Sequence, residues 1–320
     1  MNWDTELMQP KRQSVWGFPA VANFILGGTG AGFYLLFSVY ELQAGPLPGP
    51  QSGGAEILSP LLVCLGFLAL TLEVGRPFRG VYLLSNLRRS WVSIEVLAGA
   101  LFISFSIFNW LSPSPILHIS ASCAAIVFAV SQGFIVYRAR AINAWNVPVI
   151  PFLFFSSALV MGGGLLLIVG GLQRSMIEGY AFMTIMISLM ANIAAWGLYV
   201  WVPWDIQFLK ITIFLRRPLS IFFVMGLGQI LPFVMMGLTM LAEESMSAVA
   251  GYSVAVMAGL FILAGGASQK AVLIFGANSL RGVRMGVARE NDLTKYENIH
   301  SSVTGNVTER HNISAGSVKN

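Results

Sequence analysis

The chain has 320 residues, 56% of them hydrophobic and only 10% charged, with a net charge of +5 and a mean hydropathy of +0.72. A soluble domain carries about 25% charged residues, so this composition excludes one and predicts an all-α integral membrane protein. The two cysteines, Cys64 and Cys123, and the three histidines, His118, His300 and His311, exclude three things. They cannot build a disulfide framework, a four-cysteine iron–sulfur site, or the pair of intramembrane histidines that a b-type haem takes.

Residues 1–15 form a polar N-terminal segment. The first apolar run is too long for a secretory h-region and is expected to be a retained span, not a signal peptide. A helix crosses the hydrocarbon with about 20 apolar residues. Eight such runs lie at roughly 16–42, 56–74, 91–111, 115–137, 148–172, 178–202, 219–241 and 247–276. They make a membrane domain over 16–276, and a polar tail follows at 277–320. Cys64 and Cys123 each sit inside an apolar run and read as buried small side chains.

Basic residues are confined to alternate connections. They are Lys11 and Arg12 before span 1; Arg76, Arg79, Arg88 and Arg89 after span 2; Arg138 and Arg140 after span 4; and Lys210, Arg216 and Arg217 after span 6. Arg281, Arg284 and Arg289 open the tail, and only Arg174 lies on the other side. The positive-inside rule then predicts that both termini are cytoplasmic. These loops account for the positive charge, which is therefore no argument for nucleic acid. Trp16, Tyr82, Trp91, Trp201 and Trp204 fall near span ends and read as an interfacial belt.

An internal echo predicts two four-helix halves. Trp16 and Pro19 precede Gly27, Gly28, Gly30 and Gly32, as Trp145 and Pro148 precede Gly162, Gly163 and Gly164. Such glycines let helix backbones approach closely. "GGTGAG" is not a dinucleotide fingerprint, since no strand precedes it.

Ionisable groups inside spans are costly and are functional candidates for that reason. Glu73 closes span 2, in "LEVGRPFRG"; Glu95 lies about a turn into span 3; Lys270 lies in span 8. The topology places all three at similar depth in the cytoplasmic third, with Arg76 and Arg79 close by. A quinone or quinol, arriving through the lipid, needs such a set: a partly buried carboxyl to take or give a proton, a basic donor facing its oxygens, and an apolar wall. The alternative is that Lys270 snorkels to the surface and the acids pair with loop arginines. Asn23, Asn109, Ser131, Gln132, Asn192 and Gln229 read as helix–helix hydrogen-bonding groups. His118 reads as a solvated or capping residue near the opposite surface.

With these residues in view, the chain resembles the NrfD/PsrC-like membrane subunits of polysulfide reductase and the related anchor subunits of dimethyl sulfoxide reductase-type complexes. The resemblance rests on "WGFPAVANFILGGTGAG", "LEVGRPFRG", "SWVSIEVL" and "GGASQKAVLIFGAN" and covers the membrane part. Glu73 stands where the family more often has Asp or His, and Val74 replaces a common Leu. The resemblance implies a haem-free subunit that reacts with menaquinone or ubiquinone. It implies a four-cluster iron–sulfur partner and a molybdopterin catalytic subunit. By position, Glu73 and Glu95 would act as the acids, with Arg76, Arg79 and Lys270 lining or bordering the quinone pocket. No metal site is expected in this chain. Two other readings stay open at this point: a transporter or ion-translocating subunit, which intramembrane Glu95 and Lys270 also suit, and a passive anchor without a quinone site.

Overall fold

In the computed structural model, residues 5–8, 13, 16–44, 50–73, 90–173, 179–242, 247–277 and 283–285 are described. The helices are α1 (Phe18–Ala44), α2 (Pro50–Glu73), α3 (Trp91–Leu111), α4 (Pro115–Tyr137), α5 (Ile150–Leu172), α6 (Gly179–Trp201), a short α7 (Ile206–Thr212), α8 (Pro218–Leu241) and α9 (Ala248–Gly276). Their boundaries follow local chemistry. The Ser90 hydroxyl accepts from the Ser93 amide at 3.4 Å to open α3, and the Ser247 hydroxyl accepts from the Ala250 amide at 3.4 Å to open α9. Pro115, Pro151 and Pro218 fill first-turn positions of α4, α5 and α8, where a missing N–H costs nothing. Within α8, Phe222–Ile230 is wound as a π-helix between α-helical ends.

Seven of these helices are long and apolar enough to cross a membrane. The run expected at 56–74 is helical as part of α2, but its described apolar stretch, Ile57–Thr71, is shorter than a span. The membrane unit runs from Arg12 to Arg281. The terminal segments form a unit of their own, Met1–Lys11 with Gly282–Asn320. There β1 (Thr5–Met8) and β2 (Val283–Met285) pair antiparallel, Thr5 opposite Met285 and Glu6 opposite Arg284.

The centre of the bundle is the contact between α1 and α5. A Cβ on Gly32 would collide with the Ala158 carbonyl, and one on Gly162 with the backbone of Gly32 and Phe33. A Cβ on Gly28 would stand 3.6 Å from the Ala158 Cβ. Contacts that advance together along both helices, 28 with 158 and 32 with 162, make α1 and α5 a parallel pair. Around it the packing repeats. Helix α3 packs on α4 with Gly99 against Phe128, and α8 packs on α9 with Gly228 against Gly265. Helix α4 lies on α1 with Phe128 and Gln132 at Gly27, and α9 lies on α5 with Ile262 at Gly164 and Met161 at Gly266. Finally α4 reaches α5 through Gly133, against Pro151 and Phe154, while α9 reaches α1 through Lys270. The two halves, α1–α4 and α5–α9, are thus built alike around an axis between α1 and α5, and this repeat pairs Ser131-Gln132 with Ser268-Gln269.

Outward faces carry apolar side chains such as Leu68, Phe108, Ile187, Leu238 and Leu260, the pattern of a surface in contact with lipid. Cys64 and Cys123, expected inside, are exposed on these faces. The end where α1, α3, α5 and α8 begin carries Arg138, Arg140, Lys210, Arg216 and Arg217. It is closed by side chains that satisfy helix-end carbonyls. The Trp145 indole donates to the Leu273 carbonyl at 3.0 Å, and the Arg216 Nη2 donates to the Val200 carbonyl at 2.6 Å. Burial draws the Arg216 guanidinium below its ordinary pKa. Trp16 stacks on Trp145 with ring centroids 4.9 Å apart, so this tryptophan packs in the fold instead of standing only as an interfacial anchor.

Gly32→Val forces the central helices apart. It should cost at least the 1–3 kcal/mol typical of overpacking and abolish monodisperse recovery in detergent by fluorescence-detected size exclusion. Gly237→Ala, where a Cβ meets nothing within 4 Å, should behave as wild type. Equal recovery of both variants would show that α1 and α5 do not pack this closely.

Candidate functional site

Glu95 is placed by the opening of α3. The Ser90 cap fixes the first turn, and Trp91 stacks on Phe134 of α4 with centroids 4.2 Å apart and planes 10° from parallel. One turn on, Glu95 points into the bundle and is 2% exposed. Two amides from two other helices hold it. Asn23 Nδ2 of α1 donates to Glu95 Oε1 at 2.9 Å, and Gln132 Nε2 of α4 donates to the same oxygen at 3.2 Å. Gln132 Nε2 also lies 3.4 Å from the Asn23 carbonyl. Among the described residues nothing donates to Oε2. One carboxyl oxygen is therefore anchored, and the other is left to carry a proton or meet a ligand.

Lys270 enters from α9, in the other half. Its Nζ donates to the Phe24 carbonyl of α1 at 2.6 Å and stands 5.8 Å from the centroid of the Phe154 ring. It is 2% exposed, so it does not snorkel. The aliphatic stem and the ammonium both turn inward. Gly28 makes this possible, because a Cβ there would collide with Nζ. The same open face of Gly28 meets Gln132 Oε1, 3.3 Å from where the Cβ would stand. Gln132 therefore lies between the two groups, its Nε2 on Glu95 and its Oε1 toward the notch that holds Lys270. Glu95 and Lys270 make no direct ion pair. They are the only acidic and basic side chains in the buried set of the described residues.

The structure brings together two of the five expected site residues. Glu73 ends α2 at the same end of the bundle, but its side chain, with Arg76 and Arg79, lies outside the described residues. Asn23 and Gln132, expected as helix–helix hydrogen-bonding groups, are such groups and also hold the acid. Asn192 belongs to a second network in the other half. It accepts from Gln269 Nε2 at 3.2 Å and donates to Ser156 Oγ at 2.9 Å. Gln229, buried in the π-helical part of α8, finds no partner for either amide atom among the described residues. Asn109 instead caps the α3–α4 turn, accepting from the Ser114 amide at 3.1 Å, and Ser131 bonds back to the Phe128 carbonyl of its own helix. His118 is half-buried, with Nδ1 3.4 Å from the Tyr34 hydroxyl.

Compared with known families, the chain matches the model of the DMSO reductase anchor subunit (DmsC) over residues 13–213. The match takes in α1 to α7, hence Glu95, Asn23 and Gln132, and stops before Lys270. No curated protein matches the chain.

Glu95→Gln keeps an acceptor for both amides and should change stability by less than about 1 kcal/mol. Glu95→Leu strands two buried donors, at about 1–3 kcal/mol each. Thermal melting of the purified protein checks the difference. Similar melting of both variants would show that the amides do not depend on this carboxyl.

Proposed function

The chain belongs to the DMSO reductase anchor subunit family, and from that premise we propose that it is the quinone-reactive membrane subunit of a respiratory oxidoreductase. As a member it is a membrane anchor subunit of a DMSO reductase-type complex. Quinone chemistry goes a step further and is supported by one observation: Glu95, buried and held at Oε1 by Asn23 and Gln132, keeps Oε2 unengaged among the described residues.

The residues present fit such a ligand. A quinol, when bound, supplies two electrons and two protons. The chain must then offer a group that takes a proton at a fixed atom and surroundings that exclude water. Glu95 Oε2 is that atom. Asn23 and Gln132 hold the carboxyl in one orientation, so its position survives a change of protonation. Phe67 and Phe128, packed edge to face at 5.7 Å beside Gly99, supply aromatic walls. Lys270 adds a buried base, and Glu73, Arg76 and Arg79 belong to the proposed charged set by their position in the sequence. Electrons pass to a partner, because the resemblance that supplies the quinone also implies a four-cluster iron–sulfur subunit and a molybdopterin catalytic subunit. The arginine-rich end is the proposed docking face, which puts the partners and both termini on the cytoplasmic side of a bacterial inner membrane. The eight-span topology, with α2 as the eighth crossing, belongs to the same proposal, as does kinship with the wider NrfD/PsrC-like subunits.

The test is gentle purification of the whole complex from native membranes, carrying either wild type or Glu95→Gln. Quinol-driven turnover should fall by a factor of about 10² or more. Turnover driven by a soluble dye that feeds the partner directly should not change. Equal quinol-driven rates would leave the chain a passive anchor.

A further inference from the structure

Two apolar clusters bracket a polar level in the second half of the bundle. One cluster holds Phe154 of α5, Ala195 of α6, Met225 of α8 and Leu273 of α9. The other holds Val160, Leu189, Met236 and Ile262 of the same four helices. Between the clusters each helix carries a buried polar side chain: Ser156 and Ser157 on α5, Asn192 on α6, Gln229 on α8 and Gln269 on α9. Close packing fixes the part between α8 and α9. A Cβ on Gly228 would collide with the Gly265 backbone. Gln229 follows Gly228 in the chain, and Gln269 stands one turn beyond Gly265. Direct bonds satisfy only part of this level. Gln269 Nε2 donates to Asn192 Oδ1, and Asn192 Nδ2 donates to Ser156 Oγ. Gln229 Nε2 and Oε1, Gln269 Oε1 and Ser157 Oγ have no partner among the described residues.

We propose that this level is a binding site for water, and that bound water joins Gln229 to the network of Gln269, Asn192 and Ser156. The chemistry of the orphaned atoms selects the ligand. The Gln229 amide offers both a donor and an acceptor, so its occupant must accept and donate in turn. A cation would serve the oxygen and leave the NH2 group unmet. A lipid tail would serve neither. A charged occupant would also want a counter-charge, and Lys270, beside Gln269 in the sequence, gives its ammonium to the Phe24 carbonyl of α1. Water is neutral, is both donor and acceptor, and in protein interiors bonds to polar groups that would otherwise go unpaired. A dry interior would not favour glutamine at position 229, where an apolar side chain of similar size closes the space without desolvating an amide. The backbone is unusual at the same place. Gln229 sits in the π-helical part of α8, where the Leu231 N–H reaches back to the Gly226 carbonyl, and such wide turns often mark functional positions. This site is separate from Glu95, whose partners come from α1 and α4.

X-ray radiolysis of the purified complex tests this with water itself as the probe. The pulse splits water where it stands, and the hydroxyl radical oxidises the nearest methionine to its sulfoxide. Met225 lies one turn before Gln229 on the buried face of α8, and Met236 is buried on the same helix inside the second apolar cluster. Mass spectrometry should find Met225 converted at least about tenfold faster than Met236, because only Met225 adjoins the bound water. Gln229→Leu removes both amide atoms and keeps an apolar side chain. In that variant the Met225 rate should fall to within about twofold of the Met236 rate. Equal rates at Met225 and Met236 in the wild type overturn the water site, and this comparison stands even where Gln229→Leu fails to assemble. A fast Met225 rate that Gln229→Leu leaves unchanged overturns it as well, since water would then reach Met225 without the amide.

Discussion

The contact between α1 and α5 governs the rest of the molecule. In a bilayer no hydrophobic force drives one apolar helix onto another, so association depends on close packing and internal hydrogen bonds. Gly32 and Gly162 let two parallel backbones touch, which no larger residue permits. That contact brings the halves near enough for α4 to lie against α5 and α9 against α1. Lys270 reaches the Phe24 carbonyl only because α9 is carried there, and the Glu95 site is assembled from α1, α3, α4 and α9 as a result.

Inside this frame, polar groups are placed by a shortage of water. Helix ends at the arginine-rich face hand their carbonyls to Trp145 and Arg216, and the Ala144 carbonyl receives the Tyr199 hydroxyl at 3.0 Å. These bonds stitch the connecting segments under the bundle. At Glu95 the accounting differs. Two amides converge on one oxygen while the other oxygen receives nothing from the described residues. A site that only needed burial would spread its donors over both oxygens. One that must also release or accept a proton benefits from the unequal arrangement.

Much of this was legible in the sequence. Runs of apolar residues located every long helix, α2 included, and the Trp–Pro–Gly echo foreshadowed the repeat of halves. Glu95 and Lys270 stood out as ionisable residues at matching depth, and both are buried in the bundle, each held by its own partners. Their environment was not legible. Asn23 and Gln132 read as ordinary helix glue, because nothing local says which helix a side chain will meet. The inward turn of Lys270 depends on a glycine 242 positions away in the chain, Gly28, which no periodicity reports. The outward Cys64 and Cys123 misled for the opposite reason: on a lipid-facing helix, apolar does not mean inside.

The repeat also explains why one end of one interface became special. Two similar halves around a common axis would present two equivalent polar clusters. This chain breaks the equivalence with a few residues. Lys270 stands against Gly133, and the π-helical part of α8 carries no acid, while Gln132 against Gln269 stays the same. The conserved-in-place amide takes different work in each half: in one it holds a carboxyl, in the other it joins Asn192 and Ser156 in a network with no titratable member. The second network shows what the scaffold does when it only has to hold together. Set against it, the cluster that holds Glu95 carries a charge that the second network does without. The acid and the base have to be explained by what the site does, and a proton-handling role accounts for their presence.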